Sequence, residues 1–557
     1  MSTKRQAPIR SRVSLHDRSQ VEITFSYLLG SQDTQGKLLK KVRDSSYDVD
    51  AYFFFPAQMR INSETYPKER FYQDLRTFIR LREPRLSYKR LIGTGLQPSV
   101  SPVVFVRRYL EHLAANEKTE NIELMVDEIR LFACSFASFV FRRSERRKKK
   151  IANAMKAFSV SPSKVEFEKL RLAVEGVEKF IDRGFKLLLA WRELMQQAST
   201  IDAPPMALIR QELNYVNEYC SYSYRDALVS LLGTLQLFQS KGGESFTKGV
   251  QDRLFAAIRL ERWHSRKMGY YWIEAESSVE YQERYVNHRS ALKRRVWSVL
   301  YLDARTKPLF AIQRQTGAII SAGLAGAWAV TAEIILRQRG LMPGGNGFSS
   351  LGVSGFLIVT ALIMAYILKD RIKELGRSYL QLRGVFKIPD NSNEINFRTA
   401  DGEKRNIGVV KEDSSFQPKR RLPEDIIALR ERKSEEHIDP EELYRSVLHY
   451  RKKIHLNSRS LIELPQPIMA LHDILRLSVS SYTARLDESL HRTQVLNERG
   501  AVEEILMPKV YHLDIILKYS NSDSSEKSAT NVYDYIRLYI NKEGLIRIKQ
   551  LSTPNVS

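Results

Sequence analysis

Cysteine is nearly absent. The 557-residue chain has Cys134 and Cys220 alone, set among apolar or aromatic neighbours (Phe132-Ala-Cys-Ser-Phe136 and Tyr219-Cys-Ser-Tyr222) and without CxxC spacing. A disulfide framework and a cysteine-rich metal centre are excluded, and a reducing compartment is expected. The ten histidines are scattered, with no HxxxH or HExxH, and His449 and His455 stand six apart, off a common helix face. No GxxxxGK[ST] loop occurs, Gly93-Thr-Gly95 lacks a third glycine, and GxSxG is missing, so no cofactor and no metal are expected. The early charges of Met1–Pro8 have no apolar stretch behind them, which excludes a secretory signal there. There is no internal repeat.

Positive charge is what the chain has in excess. With 88 Lys and Arg against 64 Asp and Glu, its net charge is +24 and its pI about 9.7. Two kinds of partner suit such a surface: nucleic acid, whose phosphates reward clustered cations by counterion release, and a lipid bilayer with anionic headgroups, worth about 1 kcal/mol per nearby cation. A composition of 43% hydrophobic and 27% charged residues excludes a wholly disordered chain, and the length calls for several structural units.

Two uncharged runs dominate the middle. Thr316–Leu336, interrupted by Glu333 alone, and Leu351–Leu368 each approach the roughly twenty residues that a bilayer core requires. Lys293, Arg294, Arg295, Arg305, Lys307 and Arg314 precede the first run and Lys369, Arg371, Lys373 and Arg377 follow the second, whereas the connecting loop holds Arg337 and Arg339. The positive-inside rule then predicts a multi-pass protein of the inner (cytoplasmic) membrane with both termini in the cytoplasm. Gly317, Ser321, Ala322 and Gly326 have the small-xxx-small spacing of packed spans, within one chain or in a homo-oligomer. Glu333 is the acidic residue inside the first run, about one turn from its outer end, where it can reach water.

The expected fold is therefore a mainly α membrane protein: a two-helix transmembrane hairpin joined to a helical cytoplasmic body, with smaller β elements near both termini. The expected boundaries are 1–66 for an N-terminal β-containing region, 67–311 for the helical body, 312–369 for the hairpin, 370–422 for a β-hairpin and linker, and 423–557 for a C-terminal α+β region. Val21, Ile23, Phe25 and Tyr27 alternate with polar residues as in a half-buried strand, and Asp48–Phe55 reads as another. Helical periodicity runs from Lys68 to Ala311, with capping-box spacing at Ser163-Lys-Val-Glu166 and breaks at Ala203-Pro-Pro205 and Lys241-Gly-Gly243. Asp401-Gly402 signals a hairpin, Lys411–Pro423 a linker, and Pro423–Arg499 a return to helix. Strands are expected around Tyr511–Tyr519, Val532–Ile540 and Leu545–Lys549, and pairing of the terminal strands into one sheet is one way to stabilise them.

Two clusters could do chemistry. Asp48 and Asp50, two apart on a strand, point to one face and follow Leu29-Gly-Ser31, similar to a nucleotidyltransferase-like site that holds Mg²⁺ and a triphosphate. The gap between the two motifs is long and the next strand offers no third carboxylate; the alternative is the solvated face of an edge strand. Arg142, Arg143, Arg146, Arg147, Lys148, Lys149 and Lys150 form the densest basic run, suited to an anionic surface, with Phe141 at its border. The leading functional expectation is a membrane-anchored cytoplasmic interaction or scaffold protein with a basic surface and an unknown protein partner. The alternatives are a membrane-tethered nucleotide-acting enzyme using Asp48 and Asp50, and a small oligomeric channel or transporter component.

Overall fold

Alternation of apolar and polar side chains sets the first strands. Val21, Ile23, Phe25 and Tyr27 are buried while the residues between them are half-buried, so Gln20–Leu28 (β2) pairs antiparallel with Ile9–Asp17 (β1). The computed structural model describes residues 9–28, 45–94, 101–115, 121–160, 163–239, 244–338, 360, 363–364, 366–375, 389–398, 404–431, 447–457, 470–523 and 531–551. After β2 come β3 (Ser45–Phe54), α1 (Lys68–Asp74), β4 (Leu75–Leu81), α2 (Tyr88–Ile92) and α3 (Pro102–Ala114). The long helices follow: α4 (Ile122–Val160), α5 (Lys164–Thr200), α6 (Met206–Gln239), α7 (Glu244–Lys267) and α8 (Val279–Trp297). Then β5 (Asp303–Pro308) leads into α9 (Leu309–Gln338), and residues 366–375 are helical (α10). The remainder is β6 (Asn391–Arg398), β7 (Lys404–Gln417), α11 (Glu424–Glu431), β8 (Val447–Leu456), β9 (Ala470–Ser478), β10 (Leu490–Leu496), β11 (Val502–Pro508), β12 (Tyr511–Asp523), β13 (Val532–Asn541) and β14 (Gly544–Leu551).

Two antiparallel sheets face each other. One has the order β1-β2-β9-β4, the other β14-β13-β12-β3-β8-β7-β6-β5. Their inner faces meet through Tyr27 stacked on Tyr47 (4.6 Å between centroids) and Phe25 edge-on to Tyr519 (5.6 Å), and Leu545 N donates to Arg18 O (2.7 Å) where the edges touch. The outer face of the large sheet is partly covered by α11, whose Ile426 and Leu429 pack with Tyr52, Phe54, Val447 and Ile516.

Beside the sheets, α3 to α8 form a bundle. Along α4, Met125, Ile129, Phe132, Phe136 and Phe139 are buried at the helical period, as are Leu170, Ala173, Val177, Phe180, Leu187, Trp191 and Leu194 along α5. Trp191 stacks flat on Phe132 at 4.1 Å, joining the two helices. Helix α5 starts under a cap, Ser163 Oγ accepting from Glu166 N at 3.3 Å. The bundle meets the small sheet at β4, where Arg80 lies over Trp297, Leu302 N donates to Ile79 O (3.0 Å) and Phe78 contacts Tyr301.

Several expectations are overturned. Among the described residues no helix is long and apolar enough to cross a membrane, so the transmembrane hairpin, the mainly α membrane fold and the multi-pass inner-membrane location fall. The predicted first span lies on α9 (Leu309–Gln338). Most of the predicted second span lies outside the described residues. The β elements are not small: they are large antiparallel sheets built from both ends of the chain, β2 pairing with β9 and β3 with β12. Strand β4 sits inside the stretch expected to be wholly helical, and β7 runs through much of the expected linker. The stretch 423–499, expected helical, contributes β8, β9 and β10. In β8 the buried alternation Leu448, Tyr450, Lys452, Ile454, Leu456 is disguised by a lysine on the apolar face.

Candidate functional site

The basic run lies on α4, and its spacing fixes which cations act together. Arg142, Arg143, Arg146, Arg147 and Lys150 fall within an arc of roughly 140° on one side of the helix, while Lys148 turns away to pair with Glu145 and donates to Ser230 Oγ (2.9 Å) on α6. The arginines are braced by neutral contacts. Arg142 Nε donates to Ser138 O (3.1 Å) and Ser138 Oγ (3.2 Å), and Arg143 lies over the Phe139 ring. The Arg147 guanidinium rests on α5 at Gly176, where an added Cβ would stand 2.2 Å from its Nη1.

The same patch draws on residues far away in sequence. Arg183 on α5, lying over the Tyr88 ring at 5.5 Å, is within electrostatic reach of both Arg143 and Arg147. Arg82, just past β4, acts on Arg142, and Arg10 of β1 acts on Arg82. Partial burial, then repulsion from neighbouring guanidinia, lowers the pKa of Arg142, Arg143 and Arg147. Glu83 works the other way on Arg142 and Arg82 but is itself held by Arg80 (3.4 Å). Among the described residues none of Arg82, Arg142, Arg143, Arg146, Arg147 and Arg183 forms an ion pair. The result is a carboxylate-poor cluster of like charges held together by packing, built of guanidinium groups whose planar fork matches the geometry of phosphate. Phe141, 66% exposed, precedes the run in sequence but lies about 100° round the helix from Arg142, on the side to which Lys148 turns. The contiguous run was legible in the sequence; Arg82 and Arg183 were not, because the fold rather than the spacing brings them there.

Asp48 and Asp50 do point to one face, the outer face of β3, but cations from β8 occupy them. Asp50 Oδ1 accepts from His449 Nε2 (2.7 Å) and Arg451 Nε (2.8 Å), and Asp48 pairs with Lys453 at 3.7 Å. Burial opposes the Asp50 charge, but those two hydrogen bonds outweigh it and its pKa falls. No group of three or more potential metal ligands occurs among the described residues. Nor is β3 an edge strand, since it lies between β12 and β8. The preceding Leu29-Gly-Ser31 lies outside the described residues.

Other marked residues do not converge. On α9, Ser321 is buried, Ala322 is exposed, and a Cβ built at Gly326 meets nothing within 4 Å; Gly317 shares the helix, and Glu333 is exposed. A feature missed by the sequence reading lies between the sheets. There Lys452 Nζ, fully buried, bonds to Asp473 Oδ1 (2.6 Å) and stands 3.6 Å from Glu412, which accepts from Tyr450 Oη (2.9 Å). The pair is sealed from solvent, with both Lys452 and Asp473 at 0% exposure, and it ties the sheets together. Comparison with known proteins finds no matching family model, no similar curated protein and no similar solved structure.

Proposed function

We propose that this protein is a non-catalytic scaffold that binds nucleic acid through its phosphate backbone, using the arginine cluster on α4 and α5. The observation that carries the reading is the set of guanidinia from Arg142, Arg143, Arg146, Arg147 and Arg183, crowded together without a carboxylate partner. Folding such a cluster costs repulsion, which a bound polyphosphate relieves. Arginine suits phosphate because its planar fork donates two parallel hydrogen bonds. Nothing in the patch reads base edges, so binding would be indifferent to sequence. The pairing of Asp48 and Asp50 with cations argues against a Mg²⁺-dependent nucleotide site.

The test is fluorescence anisotropy with labelled single-stranded and duplex oligonucleotides, against a salt series. The parent should bind at low salt, with affinity falling linearly in log–log coordinates. The triple variant Arg143→Ala, Arg146→Ala, Arg147→Ala should bind at least about tenfold more weakly, with a slope smaller by about two on single strands and nearer three on duplex. Absence of binding by the parent at low salt would end the proposal. So would a clear preference for anionic phospholipid vesicles over both oligonucleotides.

A further inference from the structure

The ribbon formed by β10 and β11 is, among the described residues, a two-stranded sheet of its own. Its base is tethered: Lys509 N donates to Ser489 O (2.8 Å), Lys509 Nζ to Asp487 Oδ2 (2.6 Å) and Ser489 Oγ to Glu543 Oε1 (3.0 Å). Its tip turns at Gly500, φ 72°, with Asn497 N donating to Ala501 O (2.9 Å). Between base and tip all of β11 and most of β10 is exposed, including Leu490, Leu496, Val502 and Leu506 at 54, 72, 64 and 56%. A lone two-stranded ribbon is marginal in water, and an apolar open edge is a template for another strand.

Hydrogen-bond phase decides which edge is usable. Bonded and non-bonded pairs alternate along an antiparallel ladder, and both Ser489/Lys509 and Asn497/Ala501 are bonded. In the register Leu490↔Pro508 to Leu496↔Val502, odd-numbered residues therefore bond within the ribbon, and even-numbered residues turn N–H and C=O outward. The β11 edge presents Val502, Glu504, Leu506 and Pro508, and the proline has no N–H to give. The β10 edge presents Leu490, Arg492, Gln494 and Leu496, each with a donor and an acceptor.

We infer that two copies of this chain associate through their β10 edges, antiparallel about a two-fold axis at Thr493, to make one four-stranded sheet. In that register Leu490 faces Leu496 of the second copy, Arg492 faces Gln494, His491 faces Val495, and Thr493 faces itself. No charge meets a like charge, and about eight N–H···O bonds close, two for each bonded pair. Pro508, Leu490 and then Leu496 and Val502 of the second copy line up as one apolar row across the four strands, and the two-fold axis generates a second row. Moving the axis to Arg492 would set guanidinium against guanidinium; moving it to Gln494 would set Arg492 against Leu496 and leave Leu490 beyond the ladder.

Sedimentation of the full chain and of two edge variants tests this. The parent should be a dimer, Gln494→Pro a monomer because an outward donor is lost while the ribbon's own ladder is untouched, and Glu504→Pro, the same change on the other edge, still a dimer. Independently of any folding defect, Thr493→Cys should give a covalent dimer on mild oxidation, since opposed non-bonded residues lie close enough for a disulfide, and the native Cys134 and Cys220 are buried. Ile505→Cys, one strand further out, should not. A monomeric parent, a dimer that survives Gln494→Pro with no cross-link at Thr493, or a cross-link at Ile505 in place of Thr493 would overturn the inference.

Discussion

Glu128 shows how burial and a like-charged neighbour set a residue's chemistry. It is a half-buried carboxyl on α4, pushed up to about 7 by burial and then by its neighbour Asp127. An acid whose folded pKa exceeds its unfolded value holds its proton in the native state, so stability is full below the ordinary carboxylate range and declines as pH rises from about 4.5 towards 7. Glu128→Gln should accordingly raise the thermal midpoint at pH 8 and leave it nearly unchanged at pH 4.5, as scanning fluorimetry across pH would show. An equal change at both values would mean that packing, not ionisation, governs the site. Nothing in the local sequence marks Glu128, since a glutamate on an amphipathic helix reads as solvated until the neighbouring helices are placed. The arginines of α4 are the opposite case: their run is visible in the sequence, and the fold adds Arg82 and Arg183 to it.

At the scale of elements, strands with one dry and one wet face were legible and the others were not. Strand β2 alternates cleanly, and Ser163 marks the start of α5. Strand β8 alternates in burial but not in apolar character, because Lys452 takes an inward position and is balanced there by Asp473 and Glu412. Strands β10 and β11 do not alternate, because both their faces are exposed. The expected spans fall on a different observation: among the described residues no helix is long and apolar enough to cross a membrane. The role given to Lys452 has a measurable consequence. Lys452→Met leaves two carboxylates in the core without a counter-charge and should cost about 3–5 kcal/mol in chemical denaturation. A loss below about 1 kcal/mol would show that the buried pair does not hold the sheets together.

For the whole molecule, the +24 charge acts on the two proposed associations with opposite sign. Nucleic-acid binding should weaken as salt rises, through counterion release. Two equally charged copies repel one another at long range, so pairing through β10 should strengthen as salt screens that repulsion. Raising the salt from about 50 to 300 mM, where the screening length falls well below 15 Å, should therefore favour the dimer in sedimentation while releasing oligonucleotide in anisotropy. If both associations weaken together, the ribbon contact is electrostatic rather than apolar and its proposed register is wrong.

The way β2 and β3 find their partners bears on how the chain is made. Strand β3 ends at Phe54 and the first of its two neighbours to be made, β8, begins at Val447, a gap that translation at about 5–20 residues per second crosses in roughly 20–80 s. Throughout that interval Val49, Ala51 and Phe53, destined for the interior, have no sheet to join, while the helices of the bundle emerge and can pack on one another. The nascent protein thus carries an apolar, strand-prone leading segment for most of its synthesis, and is a natural client for chaperones that hold such segments until the last strands leave the ribosome.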